Sequence, residues 1–235
     1  MASQVIILQS LLDLVGLTER KIGIIKRAFW PMMKHGILYS IPLSVISFII
    51  GILIAIIVAL LIINKVPVLR RIASIYVWIF RGTPLLVQLF IIYWGICNPM
   101  GIDKWTACIT ALSLNVGAYA SETIRAAILS IQKGQWEAGY SIGMSYSQVF
   151  GHVIIPQAAK VSVPPLFNTF ISLVKDTSLA STIMITEVFR KAQEFASSSL
   201  EYLIIYLEVG FIYLMYCTVL VWIQKYIEKK LKVGA

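Results

Sequence analysis

Three short stretches of the chain carry side chains able to hold a charged solute. Arg81, Thr83 and Gln88 surround FRGTPLLVQLF; Asn115, Glu122 and Arg125 lie in NVGAYASETIRAA; Lys175, Asp176, Thr177 and Ser178 run together in LVKDTSLAS. None of these is a set for covalent catalysis. The only histidines, His35 and His152, stand far apart, and Cys97, Cys108 and Cys217 form no CxxC or Cys/His cluster. They read as thiols buried among apolar residues, not as metal ligands. What remains is hydrogen-bonding and charge chemistry, suited to binding a polar solute without reacting with it.

Each stretch leaves two readings open. Glu122 and Arg125 are three residues apart on one helix face, which fits a structural ion pair and equally a pair of groups on a translocation path. Lys175 and Asp176 are adjacent, so on a helix they point about 100° apart. Each then needs its own partner: another span, a second subunit or a zwitterionic substrate. Pro84 suits the first turn of a helix, and a helix N-terminus beside Arg81 and Thr83 would attract a carboxylate, as broken helices do in transporters. Arg81 is as well placed to snorkel to the interface. Asn115 with Gly117 and Ala118 makes a small, polar face that serves helix packing as well as a pore. Glu208, inside an apolar run, has no evident partner in the sequence.

The elements that position these groups are membrane spans. The 235 residues are 59% hydrophobic and 13% charged, against about a quarter charged in a soluble domain. The run GILYSIPLSVISFIIGILIAIIVALLIIN, residues 36–64, has no charge and exceeds the roughly 20 residues a crossing requires; Pro42 or Gly51 marks the place for a bend. A second span is expected over about Pro84 to Cys97 and extended backwards, a third over Trp105 to Ile124, a fourth over VSVPPLFNTFISLV with KDTSLASTIMI, and a fifth over Tyr202 to Gln224. The fold class is therefore an all-α integral membrane protein of about five transmembrane helices. The net charge of +9 reflects clusters at span edges, which speaks for topology and against nucleic-acid binding. Lys65, Arg70, Arg71, Arg125, Lys133, Lys160, Lys225, Lys229, Lys230 and Lys232 share one side under an N-out, C-in arrangement, facing only Lys104, Arg190 and Lys191. Residues 1–35, with their own basic cluster, are set apart as an amphipathic segment: Val5, Leu8, Leu12 and Val15 fall on one helical face, so residues 3–17 read as a surface helix or as a short extra span. The segment has no standard signal peptide. Residues 36–225 form the membrane domain and 226–235 a basic cytoplasmic tail.

Between the third and fourth spans lies EAGYSIGMSYSQVFGHVIIP, Glu137 to Pro156, too short and too polar to cross. Gly139, Gly143 and Ser147 recur every four residues, which predicts a helical face nearly without side chains. Glu137 is expected at the helix N-terminus, favoured there by the dipole, and Pro156 is expected to keep this helix from running into the next span. A partner-docking helix and a simple linking helix both satisfy the pattern.

This stretch resembles the EAA loop of type I ABC-importer permeases. Glu137, Ala138, Gly143 and Pro156 match at the family spacing; Gly139 stands for the second Ala, and Val153 and Ile155 replace Ile and Leu. The resemblance extends over about Gly36 to Gln224, and FRGTPLLVQLF, GAYASETIRAAI, GQWEAGYSIGMS and LVKDTSLAS look like the polar-amino-acid uptake branch, which includes histidine, glutamine, arginine and cystine permeases. It implies a MetI-like permease fold with a cytoplasmic coupling helix, carried by Glu137, Ala138, Gly139, Gly143 and Pro156. It also implies a bacterial inner or plasma membrane location and three partners: a second permease subunit, identical or homologous, a dimer of cytoplasmic ATPases, and an extracytoplasmic amino-acid-binding protein.

The dipeptide GK does not occur, so the chain lacks a GxxxxGK[ST] phosphate loop. Under the resemblance it is a non-catalytic subunit with no cofactor of its own, and ATP and Mg2+ are used by the partner ATPase. An ABC permease for a different solute is the nearest competing function. A self-sufficient secondary transporter would call for inverted repeats, which the sequence does not display.

Overall fold

The computed structural model describes residues 19–63 and 66–233, which are helical almost throughout. Helix α1 is Glu19–Ile63, α2 Pro67–Gly82, α3 Leu85–Cys97, α4 Lys104–Leu129 and α5 Lys133–Ser141. Helix α6 occupies 146–176 and leads into a 3-10 turn, Thr177–Ile183; α7 is Val188–Ser199 and α8 Tyr202–Val233. The expected amphipathic helix at residues 3–17 lies outside the described residues.

Two of these helices, α1 and α8, are long and apolar enough to cross a membrane, and α2 with α3 would make a third if the bent pair were one span. Helices α4 and 155–176 of α6 carry more polar residues. At 26 and 22 residues they reach about 39 and 33 Å, enough for a hydrocarbon core of about 30 Å.

Helix α4 stands at the centre, packed against α1, α2, α3 and α6. It runs parallel to α1: Tyr39 meets Trp105, Gly51 meets Val116, and Ile63 packs on the cluster that holds Ala127 and Ile128. A Cβ on Gly51 would come within 2.5 Å of Val116, and one on Gly117 within 2.7 Å of Ile54. With Ala55, Ala59, Ala107, Ala111, Ala118 and Ala120 buried around them, the two backbones approach as membrane helices do when small residues line the seam. A second cluster joins the first part of α1 to α7 and α8 through Ala28, Met32, Val188, Ala192, Ile205 and Ile212. Parallel α1 and α4, with antiparallel α3 and α6 between them, bring Arg70, Arg125, Lys133 and Lys160 to one end. That is the alternation the charge pattern calls for.

Several expectations are corrected. The first span does not begin after a separate N-terminal segment: the charged stretch Glu19–His35 and the apolar run are one 45-residue helix with no break at residues 35–36. The second span does not extend backwards through Pro84. Helices α2 and α3 meet at a 109° bend, because a residue before proline is pushed out of the α region, and Thr83 sits extended at φ −122°, ψ 148°. The fourth span ends at Asp176; Thr177 to Ile183 form the 3-10 turn instead of continuing it.

Pro156 is also corrected: it does not stop the helix, which runs on from 146 to 176. The stretch Phe150–Ile154 is wound wide, and the N–H of Ile155 donates to Phe150, five residues back. The same arrangement precedes Pro42, where Gly36–Ser40 is wide and Ile41 donates to Gly36, and Pro99, where Ile91–Cys97 is wide and Asn98 donates to Tyr93. A proline lacks the N–H for an ordinary helical bond and its ring presses on the carbonyl four residues back. Widening the turn ahead of Pro42 and Pro156 relieves that clash without breaking the helix, whereas at Pro99 helix α3 has ended.

Candidate functional site

The bend between α2 and α3 is held from within. The amide of Gln88, buried in the first turns of α3, donates to the carbonyls of Phe80 at 2.8 Å and Thr83 at 3.0 Å, and reaches the Thr83 hydroxyl at 2.8 Å. Its carbonyl accepts from Asn115 Nδ2 at 2.9 Å. One side chain thus satisfies backbone oxygens that the bend would orphan and binds the hairpin to α4. Thr83 donates its hydroxyl to Ile79 at 2.8 Å.

Beside this knot a cavity of about 450 Å³ opens between α3, α4 and α6, lined by Thr83, Asn115, Tyr119, Asn168, Ser172 and Asp176 among others. Helix α6 contributes Asn168, Thr169, Ser172 and Asp176, spaced by about one turn on one face. Asp176, in the last turn, is half-buried and turns to the cavity, whereas its neighbour Lys175 is exposed and does not line it. Thr177 is buried and donates to the Val174 carbonyl at 2.8 Å, and Ser178 accepts through its carbonyl from Ser181; neither lines the cavity.

Arg81 projects at the cytoplasmic side of the bend. Its guanidinium lies 5.6 Å from the centroid of Tyr119, and Nη1 stands 3.9 Å from Glu122 Oε2. Glu122 is engaged more closely by Arg125, which donates from Nε at 3.1 Å and from Nη2 at 2.8 Å. The expected pair forms, with a third member. So Arg81, Thr83, Gln88, Asn115, Glu122 and Asp176 gather on neighbouring turns, and Lys175, Thr177 and Ser178 stand apart.

The Glu137–Pro156 stretch folds as a hairpin at the cytoplasmic end. Glu137 is the fifth residue of α5, not its N-terminus, and Gly139, Gly143 and Ser147 do not share one helical face. The chain turns at Gly143, φ +82°, where Gly143 N donates to Tyr140 and Met144 N to Gly139 at 2.9 and 3.1 Å, a glycine-terminated helix end. Ser145 and Gln148 then cap the start of α6 reciprocally. Gly139 faces inward, where a Cβ would meet Val149 Cγ2 at 2.7 Å; its departure from alanine serves this close approach. Trp136 stacks on Tyr146 and Tyr146 on Phe150, with centroids 5.7 and 5.9 Å apart. The outer face of the hairpin presents Glu137, Ala138, Tyr140 and Ile142, the last 79% exposed.

Sequence reasoning missed Glu187, which is fully buried and caps α7, accepting from Phe189 N at 2.8 Å and Arg190 N at 2.7 Å. Ser40 and Tyr213 hydroxyls reach the same carboxylate at 3.3 Å each, tying α1, α7 and α8 together. It also missed Asn168 and Ser172, although their four-residue spacing ahead of Asp176 was there to be read. On the opposite side of α4 from the hairpin, Asp103 caps its N-terminus, and hydrogen bonds from Thr106 and Trp105 hold its carboxyl below the usual range.

Comparison with known proteins agrees with this architecture. The model of the family described as "Binding-protein-dependent transport system inner membrane component" matches residues 51–233. The L-cystine transport system permease protein TcyB of Bacillus subtilis (strain 168) is 52% identical over 210 residues, covering 88% of this chain and 90% of that protein. A crystal structure of an amino acid ABC transporter with histidines superposes with a TM-score of 0.80 at 33% identity, over 85% of this chain and 94% of that one. The MetNI methionine ABC transporter, in an inward-facing conformation, shares the fold at a TM-score of 0.67 and 17% identity, over 92% of this chain and 99% of that one. An all-α membrane bundle with a broken second span and a cytoplasmic helical hairpin, matched over most of its length, places the chain in the family of inner-membrane components of binding-protein-dependent transport systems.

Proposed function

We propose that this chain is the permease subunit of an ATP-driven importer of polar amino acids. The observation that carries the reading is the cavity beside the α2–α3 bend. Its volume of about 450 Å³ falls within the range of small-molecule sites, and Asp176 is the one carboxylate among the described residues that line it. A zwitterion would set its ammonium against Asp176 and its carboxylate toward Asn168 and Ser172, whose side chains make no other hydrogen bond among the described residues. The names of the cystine permease and the amino-acid transporter above point to the same substrate class.

The hairpin of α5 and the start of α6 is the surface that receives a separate ATPase, through Glu137, Ala138 and the exposed Tyr140 and Ile142. Gly139, Gly143 and Pro156 shape it from behind. ATP and Mg2+ belong to that partner; this chain's contribution is a rigid lever, passed from α5 into α4 and α6. A second permease subunit completes the pore, an extracytoplasmic binding protein delivers the solute, and the assembly resides in a bacterial inner membrane. The test is uptake of a panel of radiolabelled amino acids, L-cystine included, by proteoliposomes containing the complex with its ATPase and binding protein. Uptake of sugars or inorganic ions alone would instead favour a different solute.

A further inference from the structure

On the cytoplasmic side of the bend lies a second cavity, of about 600 Å³, outside the amino-acid site. It is lined by Arg70, Ser74, Trp78 and Arg81 of α2, by Glu122 and Arg125 of α4, and by Ile62 of α1. Its charge does not balance. The single carboxylate, Glu122, is held by both nitrogens of the Arg125 fork and lies 3.9 Å from Arg81. Arg70 has no ion pair and Ser74 no hydrogen bond from its hydroxyl among the described residues. Three guanidinium groups against one carboxylate leave a surplus of two positive charges around the cavity.

The walls narrow the class of ligand that would fit. Residues 70, 74 and 81 fall on one face of α2, spaced by four and seven residues. Next to that face Trp78, 75% exposed, lines the same cavity and leads round to the exposed Ile75. A ligand suited to both would carry a phosphate to accept from Arg70, Ser74 and Arg81, and acyl chains to lie along Trp78. Guanidinium pairs well with phosphate oxygens, and basic pockets between membrane helices on the cytoplasmic side are built for anionic headgroups. We propose that this crevice binds the headgroup of an anionic phospholipid, which neutralises Arg70 and Arg81 and braces α2 against α4.

The test is native mass spectrometry of the full chain released from nanodiscs of equal parts phosphatidylglycerol and phosphatidylcholine. The wild type is expected to retain phosphatidylglycerol selectively. Arg70→Gln should lower its retention by about fivefold, the worth of one basic residue near an anionic surface, and Arg70→Lys should keep most of it. Arg71→Gln, outside the cavity, serves as the reference for folding and general surface charge. Equal retention of the two lipids by the wild type, or equal losses in Arg70→Gln and Arg71→Gln, overturns the proposal. So does displacement of the bound species by millimolar inorganic phosphate, which would assign the site to a soluble anion.

Discussion

Asn115 of α4 donates its side-chain amide to Gln88 of α3 over 2.9 Å, and this bond joins the broken second span to the centre of the bundle. It lies against the cavity, with Asn115 and Thr83 in the lining and Gln88 behind them. Gln88→Leu removes the partner of the half-buried Phe80 carbonyl and Asn115 amide, and a group left unsatisfied away from water costs about 1–3 kcal/mol. Thermal unfolding of the detergent-solubilised chain should drop markedly in Gln88→Leu and Asn115→Leu, and the double variant should lose less than the two combined. Additive losses would show that the two residues act separately.

Gly139 touches Val149 where α5 folds onto α6, and a methyl group there would stand 2.7 Å from a valine branch. Overpacking of this kind costs about 1–3 kcal/mol. Gly139→Ala should weaken co-purification of the ATPase while membrane insertion is unchanged, and Gly139→Ala with Val149→Ala should recover it. Failure of the second substitution to rescue would place the fault outside this contact.

At Gly143 the backbone is left-handed, φ +82°, a conformation that costs an ordinary L-residue about 1–2 kcal/mol. Gly143→Val should dislodge the hairpin and reduce ATP-coupled uptake, and Gly143→Asn should be milder because asparagine tolerates this region. Glu137→Lys, on the exposed face, should reduce ATPase docking without altering the stability of the chain. Pull-down of the ATPase alongside unfolding temperature separates the two effects.

Glu187 gathers four donors from α1, α7 and α8. Glu187→Ala removes a helix cap, worth about 0.5–2 kcal/mol, and strands the hydroxyls of Ser40 and Tyr213. A clear fall in unfolding temperature is expected; an unchanged temperature would mean that these donors find other acceptors.

Much of this was legible in the residues. Apolar runs at Gly36 and Tyr202, and the spacing of Glu122 and Arg125, read correctly because hydropathy and helical periodicity are local signals. The prolines misled. The sequence pattern sets Pro84 near the start of a span extended backwards and Pro156 at the end of a helix, yet the chain breaks at the first and widens ahead of the second. Whether a helix survives a proline depends on the carbonyls upstream and on packing, which the sequence does not display. Glu187 escaped notice for a similar reason. Its partners, Ser40 and Tyr213, are distant in the chain and meet only when the bundle closes.

In the proposed mechanism Asp176 faces the transported amino acid while α5 receives the force of ATP hydrolysis. Its most direct measurement is ATP-dependent uptake of radiolabelled L-cystine and other amino acids by the reconstituted complex, comparing wild type with Asp176→Asn. Uptake is expected to require ATP, and Asp176→Asn to raise the KM for the amino acid with ATPase assembly intact. Uptake that proceeds without the ATPase, or that is indifferent to Asp176→Asn, would contradict it.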